Sequence, residues 1–208
     1  MMKGKFITFE GCEGVGKSKQ LSLLKEELDA LGIEYVLTRE PGGTPISEKI
    51  RQIILDKDNA AMTAECEALL YAAARTQHIN DLILPSVSQG KLVICDRYID
   101  SSFAYQSVAR GLGFDYIAGI NSHAVNNCMP DLTLFLDLCP EDAFKRKGGV
   151  DSTDRMELSG MEFHNKVYEG YVEVANRYPE RVKRIDCSGT KEQTHQKIMD
   201  ALKEKGII

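Results

Sequence analysis

Residues 11–18 decide the fold of this 208-residue chain, and they read Gly11-Cys12-Glu13-Gly14-Val15-Gly16-Lys17-Ser18. This octapeptide matches the pattern G-x-x-x-x-G-K-[S/T] at every defined position. Glycines at such positions let the backbone curl until its N–H groups converge at the N-terminus of a helix, where they bind phosphate oxygens. The stretch therefore predicts a phosphate-binding loop between a strand and a helix.

Both flanks of the loop fit this prediction. Phe6–Phe9 reads as a strand, and spaced leucines from Leu21 to Leu31 mark one face of a helix that ends at Gly32. Lys17 would reach the β- and γ-phosphates of a nucleoside triphosphate, and the Ser18 hydroxyl would be a Mg²⁺ ligand. We expect the Lys17 side chain to be exposed in the loop. The loop as a whole is predicted to bind a nucleoside triphosphate with Mg²⁺.

Short apolar runs alternate with amphipathic stretches along the rest of the chain. Further strands are predicted at Tyr35–Thr38, Leu92–Cys95, Leu132–Leu136 and Val182–Ile185. One long helical stretch runs from about Thr63 to Ser88, with Pro85 near its end. This alternation implies a parallel sheet wrapped by helices, with ligands at the carboxyl ends of the strands. Because no linker or repeat interrupts the chain, we predict one three-layer α/β domain over residues 1–208.

Composition limits the functional classes. The net charge of −5 argues against a general nucleic-acid-binding protein, which usually carries a basic face. Six cysteines without a C-x-x-C pair suggest neither a zinc site nor a disulfide framework, so we expect reduced thiols in a cytoplasmic protein. The N-terminus does not resemble a signal peptide, and no apolar stretch approaches membrane-spanning length, so we expect no membrane partner.

Two other classes of phosphate-loop protein fit less well. A GTPase requires N-K-x-D, and the nearest string, Asn165-Lys166-Val167-Tyr168, lacks the aspartate. The transporter ATPase signature L-S-G-G-Q is matched only in part by Leu158-Ser159-Gly160-Met161-Glu162. We interpret that string as a helix start, with Ser159 and Glu162 forming a capping box. A small-molecule kinase remains, and it needs a second site for the phosphate acceptor.

Two clusters could bind the phosphate of such an acceptor. Arg39 and Glu40 follow the second strand, with Arg51 one short helix later; taken alone, this is an ordinary surface ion pair. Asp96 and Arg97 come straight after the run that ends at Cys95. An aspartate there can hold the Mg²⁺ shell or orient the attacking oxygen, and the arginine can grip phosphate bidentately. We favour this over a solvated loop pair.

Two further clusters could hold a planar base. Tyr71 and Arg75 share one face of the long helix, where a ring and a guanidinium can stack on a base and hydrogen-bond its edge. A core tyrosine beside an exposed arginine is the open alternative. The last cluster is Ser101, Ser102, Tyr105 and Gln106. A glutamine amide offers both a donor and an acceptor to a pyrimidine edge, although an ordinary polar helix face is equally open.

Together these strings resemble one family. They read T-R-E-P-G-G-T from Thr38, L-L-Y-A-A-A-R-T-Q-H from Leu69, D-R-Y-I-D-S-S-F-A-Y-Q from Asp96 and L-D-L-C-P-E from Leu136. In order and spacing they resemble the bacterial thymidylate kinases, from the first strand to about Tyr171 and more loosely beyond. The resemblance implies a P-loop NTPase fold with a five-stranded parallel sheet, a homodimer, and transfer of the γ-phosphate of ATP to dTMP. The products would be ADP and dTDP, for dTTP biosynthesis. A kinase for another nucleoside monophosphate or for a deoxynucleoside is the alternative.

The resemblance also implies roles for single residues. Around the dTMP phosphate and its metal-bound water it places Arg39, Glu40, Arg51 and Arg97. Tyr71 would stack on thymine, Arg75 and Gln106 would read its edge, and Tyr105 would crowd the 2′ position of the sugar. The predicted dTMP site also includes Ser101 and Ser102. The predicted catalytic residues are Lys17, Glu40, Asp96 and Arg97, and the predicted metal ligands are Ser18 and Asp96.

A mobile lid is predicted at about residues 145–157, where glycines permit hinge motion between flanking cations. Its candidate cations are Arg146, Lys147 and Arg155. A lid cation is expected because Glu13, inside the phosphate loop, cannot itself stabilise negative charge. The resemblance places Arg146 against the adenine of ATP, and a local ion pair is an open alternative for Arg155. The chain departs from its relatives at Gly148 and Val150, where many of them carry arginine.

Overall fold

Five parallel strands form the central sheet of the computed structural model, which describes residues 4–147 and 160–208. The strands are β1 (Phe6–Glu10), β2 (Tyr35–Arg39), β3 (Leu92–Asp96), β4 (Leu132–Asp137) and β5 (Val182–Asp186). Their order is β2-β3-β1-β4-β5, and every neighbouring pair is parallel. The predicted parallel sheet is confirmed. Each strand ends one residue later than its apolar run, on a charged residue at the carboxyl edge of the sheet.

Helices connect the strands and flank the sheet. Their bounds are α1 Lys17–Leu31, α2 Pro45–Leu55, α3 Ala64–His78, α4 Leu84–Ser88, α5 Ile99–Ser102, α6 Phe114–Ile120, α7 Ser122–Asn127, α8 Pro140–Lys147, α9 Gly160–Arg177 and α10 Lys191–Glu204. All five residues of β1 are buried, so both faces of the sheet are covered at its centre. The three-layer α/β prediction is confirmed.

Within residues 4–147 and 160–208, two π-helical turns interrupt the regular helices. Ile79–Ile83 joins α3 to α4, so the predicted helix from Thr63 to Ser88 changes its hydrogen-bond pattern two residues before Pro85. Proline lacks the N–H of an α-helical bond. Phe103–Ala109 continues α5 and carries two predicted site residues, Tyr105 and Gln106. Such turns rotate the side chains that follow them, and they are frequent at functional sites.

The hydrophobic core lies between the sheet and its helices. Leu24 and Leu28 of α1 and Ile198 and Leu202 of α10 are fully buried. All six cysteines are free thiols. Within the residues that the structure describes, no helix has the length and apolarity needed to cross a membrane. The predicted N-cap Ser159 lies outside the described residues.

Candidate active site

The phosphate loop lies at the carboxyl edge of the sheet, between β1 and α1. Gly16 adopts a left-handed conformation directly before α1, with φ of 94°. Gly14 lies against α8, where an added Cβ would stand 2.7 Å from the carbonyl oxygen of Ala143. A side chain at residue 14 would therefore clash with backbone that cannot easily move, so this loop needs glycine there although the motif leaves the position undefined.

Lys17 is not exposed, and the expectation that it would be was wrong. Its residue surface is only 8% accessible. Its Nζ donates hydrogen bonds to the carbonyl oxygens of Gly11 (3.0 Å) and Cys12 (3.2 Å), because the loop curls back over the first turn of α1. Burial and the nearby Arg97 lower the pKa of Lys17. The neighbouring Ser18 is exposed at the start of the helix.

Asp96 and Arg97 lie beside the loop, because β3 pairs with β1 and Phe9 is in register with Asp96. Arg97 has a φ of 68°, an uncommon conformation for a residue with a side chain. Its Nη2 donates to Oε1 of Glu13 at 2.8 Å, inside the phosphate loop. Burial alone would lower the pKa of Arg97, but Tyr105, Tyr171 and Glu13 outweigh it and raise that pKa.

A buried carboxylate, Glu10, holds this arginine through two hydroxyl groups. Oε1 of Glu10 accepts the backbone N–H of Tyr98 at 2.7 Å, and Oε2 accepts the hydroxyls of Ser101 (2.6 Å) and Tyr171 (3.0 Å). The Tyr171 hydroxyl in turn accepts a hydrogen bond from Nη1 of Arg97 at 2.8 Å. Burial, followed by the charge of Asp100, raises the pKa of Glu10 to about 7. The guanidinium and the strained backbone at Arg97 are therefore both tied to one side chain of β1.

Arg75 is the centre of a second buried network. It is 2% exposed, so the alternative of an exposed arginine does not hold. Nε donates to Glu40 at 2.7 Å, and the other hydrogen bonds go to Ser102, Asn121 and the carbonyl of Tyr98. Four of its five N–H groups are thus engaged. Both oxygens of Glu40 are engaged as well, since His78 contacts Oε1 at 3.0 Å.

A cavity of about 160 Å³ opens where these networks meet the phosphate loop. Its wall contains Glu13 of the phosphate loop together with most of the residues predicted for the acceptor and for catalysis: Arg39, Glu40, Arg51, Tyr71, Arg75, Asp96, Arg97, Ser101, Tyr105 and Gln106. Arg39 and Arg51 both donate to the carbonyl of Pro41, at 2.8 and 2.9 Å. Of the predicted dTMP-binding residues, Ser102 is the one left out of the described wall; it supports Arg75 from behind.

The comparisons with known proteins agree with one another. A family model described as thymidylate kinase matches residues 9–198. The chain is 47% identical to the thymidylate kinase of Clostridium novyi (strain NT) over 98% of this chain and 100% of that protein. It is 48% identical to the thymidylate kinase of Bacillus velezensis over 98% of this chain and 97% of that protein. The chain belongs to the thymidylate kinase family. It is therefore an enzyme, a nucleotide-binding kinase with a phosphate loop.

The fold of this thymidylate kinase family member agrees with a solved structure. The crystal structure of thymidylate kinase from Ehrlichia chaffeensis superposes with a TM-score of 0.79 at 32% sequence identity. The match covers 97% of this chain and 100% of that one. The P-loop NTPase fold predicted from the sequence is thereby confirmed.

Several residues at the site of this family member were not predicted from the sequence. Glu10 follows an apolar run and precedes the first glycine of the loop, so its position at the carboxyl end of β1 was an available signal. Tyr171 is 161 residues away from Glu10 and lies in the middle of α9, where its spacing predicts only a core position. Glu67, His164 and Asn121 likewise carry no local signal.

The predicted lid of this family member is described only in part. Arg146 lies on α8 and donates to the carbonyl oxygens of Cys187 (2.6 Å) and Ser188 (2.9 Å), after β5. Lys147 ends α8, but its side chain and Arg155 lie outside the described residues. The lid therefore stays a prediction.

Proposed function

We propose that the cavity binds dTMP and that the phosphate loop binds ATP with Mg²⁺. The chain is an ATP-dependent dTMP kinase that forms dTDP and ADP. The observation that supports this assignment is a contact between the cavity and the phosphate loop. Glu13 of the phosphate loop and Arg97 of the cavity wall are joined at 2.8 Å. A phosphate bound in the cavity would therefore lie next to a phosphate bound in the loop.

The residues of the wall fit a phosphate acceptor. Arg39, Arg51 and Arg97 supply planar donors that bind phosphate oxygens bidentately. The attacking group is a phosphate oxygen, which is largely ionised at neutral pH, so the reaction needs alignment and charge compensation more than a general base. Arg97 would exchange Glu13 for the transferring phosphoryl group, while Tyr171 and Ser101 keep its guanidinium in place.

The chemistry of two side chains fits a Mg²⁺ ion carried by ATP. Oδ1 of Asp96 is buried and accepts no hydrogen bond from residues 4–147 or 160–208. The Ser18 hydroxyl is exposed at the first turn of α1. A Mg²⁺ shell commonly combines one or two protein oxygens with phosphate oxygens and waters. Asp96 and Ser18 would supply the protein oxygens. When bound, the ion neutralises charge on the β- and γ-phosphates.

We also propose that the protein is a homodimer in the cytoplasm. Three large apolar side chains on α2 and α3 support the dimer: Ile46, Ile53 and Leu69 are each about half exposed. The six free thiols support a reducing compartment. Light scattering of the purified chain would measure the mass in solution.

A panel of phosphate acceptors with ATP and Mg²⁺ tests the proposed function. We expect clear preference for dTMP over UMP, CMP, AMP and GMP, because a wrong base leaves buried polar groups without partners. Turnover of AMP or of unphosphorylated thymidine at or above the dTMP rate would contradict the assignment. Either result would instead favour a kinase for another nucleoside monophosphate or for a deoxynucleoside.

A further inference from the structure

Gln106 faces the cavity, but one end of its amide is already committed. Its Nε2 donates a hydrogen bond to Oε1 of Glu67 at 2.9 Å. Its Oε1 accepts no hydrogen bond from the described residues. A glutamine amide has two chemically different ends, a donor and an acceptor, and a half-turn exchanges them. Whatever fixes this half-turn decides which end is offered to a ligand.

Glu67 is suited to fix it. The side chain is 1% exposed and lies on α3, directly behind Gln106 on the π-helical turn. Arg110 donates to both of its oxygens, at 3.3 and 3.2 Å, and lies over the ring of Phe163 at 4.4 Å. A carboxylate paired with an arginine has acceptors but no proton to donate. If the amide turned over, two oxygens would face each other in a buried site.

We propose that Glu67 determines the base specificity of this site by holding Gln106 with its oxygen toward the cavity. The inference rests on the proposed function and adds a residue to it. The oxygen accepts a hydrogen bond from a base whose N3 carries a proton, as in thymine and uracil. It repels cytosine, whose N3 is itself an acceptor. Glu67 is thus a positioning residue that acts through Gln106.

The pair dUMP and dCMP isolates this effect, because the two nucleotides differ only at the base edge and both lack the methyl group. We expect the wild-type protein to favour dUMP over dCMP in dissociation constant and in kcat/KM by roughly 10–100-fold, the usual discrimination by a buried polar group. In the Glu67→Gln variant the new amide can donate as well as accept a hydrogen bond, so the amide of Gln106 can rotate by a half-turn. We expect this variant to lower the dUMP-to-dCMP ratio at least about tenfold.

Two controls separate specificity from damage to the fold. Glu65→Gln removes an exposed carboxylate from the first turn of the same helix and should leave the ratio unchanged. Should Glu67→Gln alone fail to fold, the Glu67→Gln/Arg110→Gln variant removes both charges of the pair and leaves neither buried alone. We expect the ratio to fall in that variant as well.

Calorimetry measures the dissociation constants of dUMP and dCMP, and turnover with ATP gives kcat/KM for each nucleotide. The two ratios together test the role of Glu67. A ratio that stays within about twofold of wild type in the folded variants would overturn the inference, and so would an equal loss of affinity for both nucleotides. Failure of the proposed function is a separate result, seen as absence of dTMP turnover by the wild type whatever the binding ratio.

Discussion

Replacing Arg75 by alanine is expected to lower the free energy of unfolding by about 3–5 kcal/mol. The guanidinium is 2% exposed, and its ion pair with Glu40 has a nitrogen–oxygen distance of 2.7 Å. Glu40 is itself 3% exposed. Among the described residues, the substitution would leave the buried carboxylate of Glu40 with His78 as its one remaining hydrogen-bond partner. The carbonyl of Tyr98 and the side chains of Ser102 and Asn121 would each lose a donor.

The size of this loss follows from the buried charge. A surface ion pair contributes about 0–1 kcal/mol, whereas removal of one partner from a buried pair costs about 3–5 kcal/mol because the other charge stays desolvated. In a chain of this length each kcal/mol shifts Tm by about 2–4 °C. The variant should therefore melt about 6–20 °C below the wild type.

Urea unfolding and thermal melting in the absence of nucleotide measure this change. Lys166→Ala is the matched control, since Lys166 is about half exposed and pairs with Glu162 one turn away on α9. Its loss should stay within about 0.5 kcal/mol. If Arg75→Ala cost less than about 1 kcal/mol, comparable to the control, the buried network would not contribute to stability in the way its geometry indicates.

The remaining predictions concern the phosphate loop and the Glu10 network. Lys17→Ala should lower turnover by at least about a hundredfold, because a charge-assisted contact to a transferring phosphoryl group is lost. Near-normal activity would contradict the role of Lys17. A melting curve of the variant would show whether loss of the buried contacts of Lys17 also affects the fold. Tyr171→Phe removes the hydroxyl that binds Arg97 and should lower kcat roughly tenfold, whereas Tyr168→Phe on the same helix loses contacts to Asp137 and Arg184 and should keep the wild-type rate. Equal rates in the two variants would refute the link from Glu10 to Arg97. The pKa of Glu10 is raised from 4.5 to about 7, so the folded state binds one proton more than the unfolded state between these pH values. The contribution of Glu10 to the free energy of unfolding is therefore full below pH 4.5 and is lost as the pH rises through about 7. Glu10→Gln cannot ionise and should gain roughly 3 kcal/mol relative to wild type between pH 4.5 and 8 in urea unfolding; a difference that does not change with pH would rule this out.

Local patterns in the sequence determined the fold and the position of the phosphate loop. Apolar runs predict buried strands because each residue of such a strand is covered on one face or the other, and this holds whatever lies elsewhere in the chain. The glycines and Lys17 of residues 11–18 act within a single turn, so their spacing is sufficient to recognise them. The parallel direction of the strands and most of the cavity wall follow from these local features and from the family resemblance, whereas the strand order β2-β3-β1-β4-β5 came from the structure.

The burial and the partners of polar side chains were decided only by the tertiary structure. Lys17 was expected to be exposed, and Arg75 could be interpreted as a surface residue, because nothing adjacent in sequence tells whether other elements cover them. Glu10 meets Tyr171 and Glu67 meets Gln106 across separations of 161 and 39 residues. A buried polar group is stable only where a partner of opposite hydrogen-bonding character is brought to it. That condition depends on how distant elements pack, and a sequence pattern confined to one element carries no information about it.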